Sequence, residues 1–335
     1  MEPKPETKRI LVIQTASIGD VILVTPVLEK LHHAFPDSRI DLLIRAGFEG
    51  LFEQHPFLNA LLLWDKKEKK YRKLFHLLRL IRSTRYDLVI TAQRFASSGF
   101  LTAFSGAKTT IGFHKNPFSM FFSRSIRHSI SKEGSQHETE RNLALTGWIS
   151  GTSDARPRLY PGAAHYARTS PYKTHKYICI APASLWFTKQ YPEEQWIEFL
   201  SQTDPGLYVY LLGSASDKSL CERIRQQSKH PNTLNLAGML SLLDSAALMQ
   251  DAAMNFVNDS APMHLGSAVN ARLTVVYCST VPEYGFGPLS EDSAVVQTSE
   301  KLSCRPCGLH GFTSCPEKHF RCAKTIPTTS LSGRI

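Results

Sequence analysis

The chain has 335 residues, 42% of them hydrophobic and 20% charged, with a net charge of +10. That length suits about two ordinary domains, and the composition is globular rather than disordered, collagen-like or disulfide-dense. No apolar run nears the roughly 20 residues that cross a bilayer, and the charged first eight residues lack the apolar core of a secretory signal, so a cytoplasmic protein is expected.

Residues 9–14 carry the unbroken apolar run Ile10-Leu11-Val12-Ile13, the mark of a strand buried on both faces. The turn Thr15-Ala16-Ser17-Ile18-Gly19-Asp20 follows, then a helix to about residue 35 with Val21, Val24, Leu28 and Leu31 on one face. Strands are expected at 39–44, 61–63, 87–91 and 109–111, with helical patterns between them. Such alternation predicts a parallel α/β sheet. Residues 151–175 are rich in Gly, Pro, Ser, Thr and Ala and lack periodicity, so an interdomain linker is expected at 161–175. The pattern then restarts: strand 177–180, helix 192–200, strand 207–212, helices near 217–227 and 242–250, strand 255–257 and a last clear strand at 273–277. Residues 1–160 and 176–335 thus read as two Rossmann-like domains, with a cleft between them as the preferred ligand site.

Charge is unevenly placed. Residues 1–165 hold 24 Lys/Arg against 15 Asp/Glu, and residues 166–335 hold 15 against 14. The first half should therefore meet something anionic, such as a phosphorylated substrate, a membrane surface or nucleic acid, unless it is simply a solvated basic face. Its densest stretch, Lys66-Lys67-Glu68-Lys69-Lys70-Tyr71-Arg72-Lys73, runs on into Leu77, Leu78, Leu80 and Ile81. It reads either as a helix packed on the sheet with a lysine-rich solvent face or as a segment lying on anionic lipid. No recognition motif or aromatic–basic interleaving supports nucleic acid.

Several strand ends carry candidate chemistry. The first βα turn lacks G-x-G-x-x-G, which argues against a dinucleotide cofactor there. It offers Asp20 instead, either a carboxylate favoured by the helix dipole or a general base. After the strand at 177–180 come Ser184 and Lys189, a plausible phosphate cradle or an ordinary surface pair. Asp217, after Gly213-Ser214, is a candidate ribose or loop contact, and Met239 and Leu240 could lie against a nucleobase. The strand at 255–257 ends in Asn258-Asp259-Ser260-Ala261-Pro262 and feeds a small-residue helix with His264 one turn on. This is either a plain cap over a core histidine or a ligand loop at a strand end. Cys304, Cys307, Cys315 and Cys322, spaced C-x2-C-x7-C-x6-C, offer a candidate set for a structural zinc or iron, the alternatives being a reduced loop or one disulfide. Cys179, Cys221 and Cys278 read as small core residues.

In combination, Ile18-Gly19-Asp20-Val21-Ile22 with Thr25-Pro26, Lys189 with Tyr191-Pro192 and Trp196, Leu212-Gly213-Ser214, Asn235-Leu236-Ala237-Gly238, and Asn258-Asp259-Ser260 with Met263-His264 resemble the bacterial lipopolysaccharide heptosyltransferases, glycosyltransferase family 9, and look closest to the heptosyltransferase II branch. The resemblance spans about residues 8–325. It implies an α/β GT-B fold, two Rossmann-like domains facing each other across a cleft, with residues 1–160 binding acceptor and 176–335 binding donor. It implies inverting transfer of heptose from ADP-heptose, or a similar nucleotide sugar, to an anionic lipid-linked saccharide of the inner core. The work would be done at the cytoplasmic face of the inner membrane, with no cofactor needed for the chemistry. By position Asp20 matches the catalytic base; Ser184 and Lys189 match diphosphate ligands; Asp259, Ser260, Ala261 and His264 match the donor loop; Met239 and Leu240 match the adenine site. Departures are Ala261, where the family usually has glycine, Pro262, where it has another residue, and a missing or very short C-terminal helix. Alternatives are a related transferase using another nucleotide sugar, a 2-epimerase, or a nucleotide-sugar binder without turnover.

Overall fold

The computed structural model describes residues 8–67, 69–130, 136–151 and 154–335. Among them residues 8–130 and 136–157 form one compact unit, and 158–335 the other.

The first unit is built on β1 (Arg9–Ile13), β2 (Arg39–Arg45), β3 (Leu58–Trp64), β4 (Leu88–Thr91), β5 (Thr109–Phe113) and β6 (Arg124–Ile126). All are parallel, in the order β3-β2-β1-β4-β5-β6. That is the Rossmann order, with its switch point where β1 and β4 part company, and ligands favour the carboxyl ends of the strands at such a point. Ile10 to Ile13 are fully buried, as their apolar run requires. The helix expected up to residue 35 is two helices, α1 (Ile18–Leu23) and α2 (Thr25–Ala34), divided at Val24 because Pro26 sits in the first turn of α2 and disfavours continuation. Between β2 and β3 the chain makes only a 3-10 turn. Helix α3 (Lys70–Thr84) buries Leu74, Leu77 and Ile81 and exposes its cations, so the stretch from Lys66 does pack on the sheet; Glu68 lies outside the described residues. Helices α4 (Ala96–Ala103) and α5 (Glu138–Leu143) complete this unit.

The second unit repeats the plan. β7 (Tyr177–Ala181), β8 (Tyr208–Leu211), β9 (Thr233–Asn235), β10 (Met254–Asn258), β11 (Leu273–Tyr277) and β12 (Ser293–Gln297) pair in parallel in the order β12-β11-β10-β7-β8-β9. The switch point lies between β7 and β10. The linker expected at 161–175 is instead part of this unit: α6 (Ala163–Thr169) packs on α9 (Leu242–Gln250), Tyr166 Oη donates to Gln250 Oε1 at 2.7 Å, and the unit begins at Arg158. Residues 152–153, within the Gly- and Ser-rich stretch, are outside the described residues. Helices α7 (Glu193–Ser201), α8 (Lys218–Ser228) and α10 (Ala261–Ala268) flank the sheet. The C-terminal helices α11 (Arg321–Lys324) and α12 (Thr329–Ser332) are one turn each, in keeping with the short end expected from the sequence. They and the residues between them still contribute Cys322, Ala323, Ile326 and Leu331 to the main core, beside Trp196, Phe199 and Phe256.

Candidate functional site

In the second unit, side chains from the ends of three neighbouring strands converge. Beyond β10, Lys189 Nζ meets Asp259 Oδ2 at 2.7 Å, and the two side chains are only 15% and 7% exposed. Thr280, past the end of β11, donates its hydroxyl to the same Asp259 oxygen at 2.5 Å. Pairing an ammonium with a carboxylate this far from solvent offsets the cost of burying both groups.

Asn258 supplies the frame. Fully buried, it accepts from Tyr191 N at 3.0 Å and donates from Nδ2 to Pro182 O at 2.7 Å. It therefore ties the end of β10 both to the segment leaving β7 and to the turn that carries Lys189. Tyr191 is held again at its other end, where its hydroxyl donates to Ile326 O at 2.9 Å. Thr188 binds a third segment: its Oγ1 accepts from Phe312 N at 2.8 Å and from Ser279 Oγ at 3.0 Å. Gly311 makes that approach possible, because it adopts φ +78° and a Cβ there would lie 2.8 Å from Thr188 Oγ1. Arg305 spans the same edge, donating to Cys278 O at 2.7 Å and to Thr280 O at 2.8 Å. The cysteine-rich segment is thus a clamp on the Lys189 turn.

The structure gives no support to the structural zinc or iron expected of this segment. Among the described residues no group of three or more His, Cys, Asp or Glu is arranged to hold an ion. Cys322 lies in α11 within the hydrophobic core, where burial pushes its thiol up to about 12, and Cys315 packs against that core. Cys307 donates its thiol to Cys304 O at 3.2 Å, and burial raises its pKa as well.

Ser260 is the N-cap of α10, yet no side chain caps that helix; its hydroxyl instead donates to Asn258 O at 3.3 Å. A helix start without a side-chain cap, next to a buried ammonium, is suited to an anion. Ala261 and Pro262 form its first turn, half-buried, with Pro262 where proline costs nothing to the helix. His264, 7% exposed, follows in the same helix. Ser184 lies half-exposed in the segment leaving β7, its carbonyl accepting from Gln190 Nε2 at 2.7 Å.

One strand further along, Asp217 Oδ2 accepts from Ser214 N at 2.8 Å and Ser214 Oγ at 2.6 Å, so of its two expected roles it shows the loop contact. The turn holding Met239 and Leu240 backs onto this loop through Gly238, whose N–H donates to Gly213 O at 2.9 Å and whose Cβ would strike Ala215. Met239 is 63% exposed, an apolar side chain presented to solvent.

In the first unit Asp20 sits at the third position of α1 in a capping box with Ser17: Oδ2 accepts from Ser17 N at 3.1 Å and from Ser17 Oγ at 2.6 Å. The carboxylate is half-buried at the carboxyl end of β1. Lys66 anchors the same turn, donating from Nζ to Thr15 O at 2.6 Å over the ring of Trp64. Burial, then Arg45 and Lys70, lower its pKa to about 8. Sequence reasoning placed Lys66 only in a basic stretch and did not single out Asn258 or Thr280, whose partners lie far along the chain.

The sequence model of glycosyltransferase family 9 (heptosyltransferase) matches residues 74–311. Lipopolysaccharide heptosyltransferase 3 of Escherichia coli is 26% identical over 278 residues, 78% of this chain and 81% of the relative. Lipopolysaccharide heptosyltransferase 1 of Escherichia coli K12 is 26% identical over 291 residues, 82% of this chain and 89% of the relative. The solved structure of E. coli ADP-heptose LPS heptosyltransferase II superposes with a TM-score of 0.77 at 20% identity, covering 97% of each chain, which establishes the GT-B fold. Relatives of types 1 and 3 at equal identity do not single out the type II branch suggested by the sequence. With more than half its length matched by the family model and both sheets in the GT-B strand order, the chain belongs to glycosyltransferase family 9, the heptosyltransferases.

Proposed function

We propose that this glycosyltransferase moves heptose from ADP-heptose to a lipid-linked saccharide of the lipopolysaccharide inner core, with inversion at the anomeric carbon. The observation that carries the reading is the buried Lys189–Asp259 pair beside the side-chain-free N-terminus of α10. A diphosphate is the ligand this pairing suits: the ammonium meets its charge and the helix start supplies N–H donors. Asp259 would repel that ligand, so its part is to hold Lys189 in place, together with Thr280 and Asn258. Ser184, Ser260 and Ala261 offer further donors, with His264 behind them. The exposed Met239 and neighbouring Leu240 offer an apolar seat for a base, and Asp217 shapes the loop beside it.

In the proposed chemistry Asp20 takes the proton of the acceptor hydroxyl as that oxygen attacks the anomeric carbon. The bond to the diphosphate breaks, and ADP leaves with its new charge stabilised by Lys189 and the α10 N–H groups. Asp20 keeps one carboxylate oxygen engaged by Ser17, which fixes its orientation. It lies outside the residues matched by the family model, so its role rests on the sequence resemblance and on this geometry. No metal or organic cofactor enters this scheme. The acceptor's lipid places the reaction at the inner-membrane surface, and the basic first unit suits its anionic groups.

A thermal-shift panel of ADP-, UDP-, GDP- and CMP-sugars tests the donor. Stabilisation by ADP-heptose above the others is expected. A stronger shift with another nucleotide sugar would replace the donor, and no shift with any would overturn the reading.

A further inference from the structure

Three separate segments of the first unit build one aromatic surface. Phe75 on α3 meets Phe100 on α4 at 5.7 Å between ring centroids. Phe100 meets Phe104 at 5.1 Å and Phe118 at 6.0 Å, and Phe121 lies 6.1 Å from Phe104 and 6.4 Å from Phe118. Phe75, Phe104 and Phe121 are 54%, 40% and 57% exposed, and Met120 beside them is 81% exposed. Contiguous apolar surface of this kind marks an interaction site on a soluble protein.

The patch is held in place. Asn116, buried beneath it, donates to Gln93 O at 3.1 Å and Phe95 O at 3.0 Å and accepts from Phe118 N at 2.9 Å. Its carboxamide fills the space that a Cβ on Gly99 would take, so α4 and the Phe118–Phe121 turn are locked together. The rings need little further ordering to bind a partner.

The stretch of chain that carries these rings is strongly basic. From residue 69 to residue 130 the chain carries 12 Lys/Arg and a single acid, Asp87. That carboxylate is already engaged by Lys108 at 2.7 Å and by Arg9 N at 2.9 Å. Arg82 donates from Nη1 to Phe104 O at 3.2 Å, which puts a guanidinium at the rim, and Arg79 lies one helical turn beyond Phe75.

We propose that this face docks on an anionic phospholipid bilayer. The rings enter the boundary between headgroups and acyl chains, and Arg79 and Arg82 sit on lipid phosphates. A second copy of the chain would bring like charge against like charge. Single-stranded nucleic acid wants separate aromatic faces for stacking, whereas Phe75, Phe100, Phe104 and Phe118 pack edge-to-face into a plate, with interplanar angles of 80°, 67° and 78°. The proposal rests on the reading above for its purpose, delivery of the enzyme to a lipid-linked acceptor, but its test does not need turnover.

The test is co-sedimentation of the full chain with vesicles of phosphatidylcholine alone or containing roughly one-third phosphatidylglycerol. Each cation near such a surface strengthens binding about fivefold, so at least about tenfold preference for the anionic vesicles is expected, weakening with salt. Phe75→Ser with Phe121→Ser, and separately Arg79→Gln with Arg82→Gln, should each lower partition about tenfold while leaving the melting temperature and ADP-sugar binding unchanged. As a second readout, Phe121→Trp should shift its emission to the blue on anionic vesicles only. Equal binding of wild type and both variants, no binding to either vesicle, a concentration-dependent dimer abolished by the same substitutions, or preference for a single-stranded oligonucleotide would each overturn the proposal. Loss of ADP-sugar binding with vesicle binding intact would count against the transferase reading alone.

Discussion

Replacing Lys189 by methionine removes one partner of the buried pair and keeps most of the side-chain volume. Asp259 would then remain 7% exposed, with the Thr280 hydroxyl at 2.5 Å as its side-chain partner among the described residues. Breaking a buried pair from one side typically costs 3–5 kcal/mol; Lys189 is itself 15% exposed, so the low end, about 3 kcal/mol, applies. In a unit of this size each kcal/mol moves the melting temperature by roughly 2–4 °C, so a fall of about 6–12 °C is expected by calorimetry. The double variant Lys189→Met with Asp259→Asn leaves no orphaned charge and should recover most of that loss, giving a coupling energy of about 2 kcal/mol. Neither variant should respond to ADP-heptose. A Lys189→Met protein that melts within a degree or two of wild type, with no rescue from Asp259→Asn, would refute a structural pairing between these groups.

Asp20→Asn keeps an oxygen for the Ser17 cap but loses the base, so turnover should fall by about 10³-fold or more with donor affinity unchanged, as single-turnover kinetics and titration would report. Asn258→Ala abandons the bonds to Tyr191 N and Pro182 O in a fully buried position and should cost about 2–4 kcal/mol in urea unfolding, with weaker donor binding alongside. Gly311→Ala forces a Cβ against Thr188 Oγ1 at positive φ; a loss of about 1–2 kcal/mol and reduced donor affinity are expected, and unchanged affinity would separate the clamp from the site. Burial, then His32, lower the His55 pKa from 6.5 to about 4. Its folded state favours the neutral ring, so that stability is complete above pH 6.5 and lost as pH falls toward 4. Urea midpoints of wild type should drop over that window by more than those of His55→Gln, by roughly 1–2 kcal/mol after allowing for partial solvent screening.

Strong apolar runs made much of the fold legible. β1 and β10 are buried on both faces and stand out as such, and the helix at 242–250 and the strand at 273–277 fall where their patterns put them. The edge strands β6 and β9 have three residues each and are partly exposed, so they carry no apolar run to read. Helix α6 buries only His165 and Thr169, which leaves a linker-like composition without an apolar stripe. At the site, Lys189 and Asp259 could be singled out from strand ends, but their pairing spans 70 positions and depends on Asn258 and Thr188 bridging distant segments. The aromatic plate was invisible for the same reason: its rings come from residues 75 to 121, and no local period links them. The cysteine spacing alone does not say that Cys322 faces the core.

Release of ADP from ADP-heptose in the presence of a purified Kdo-lipid A or heptosylated acceptor, followed with the stereochemistry of the product, tests the central claim most directly. Acceptor-dependent release with an inverted anomeric linkage in wild type, abolished in Asp20→Asn, is the expected result. Release that does not require the acceptor, a retained configuration, or turnover unchanged in Asp20→Asn would contradict it.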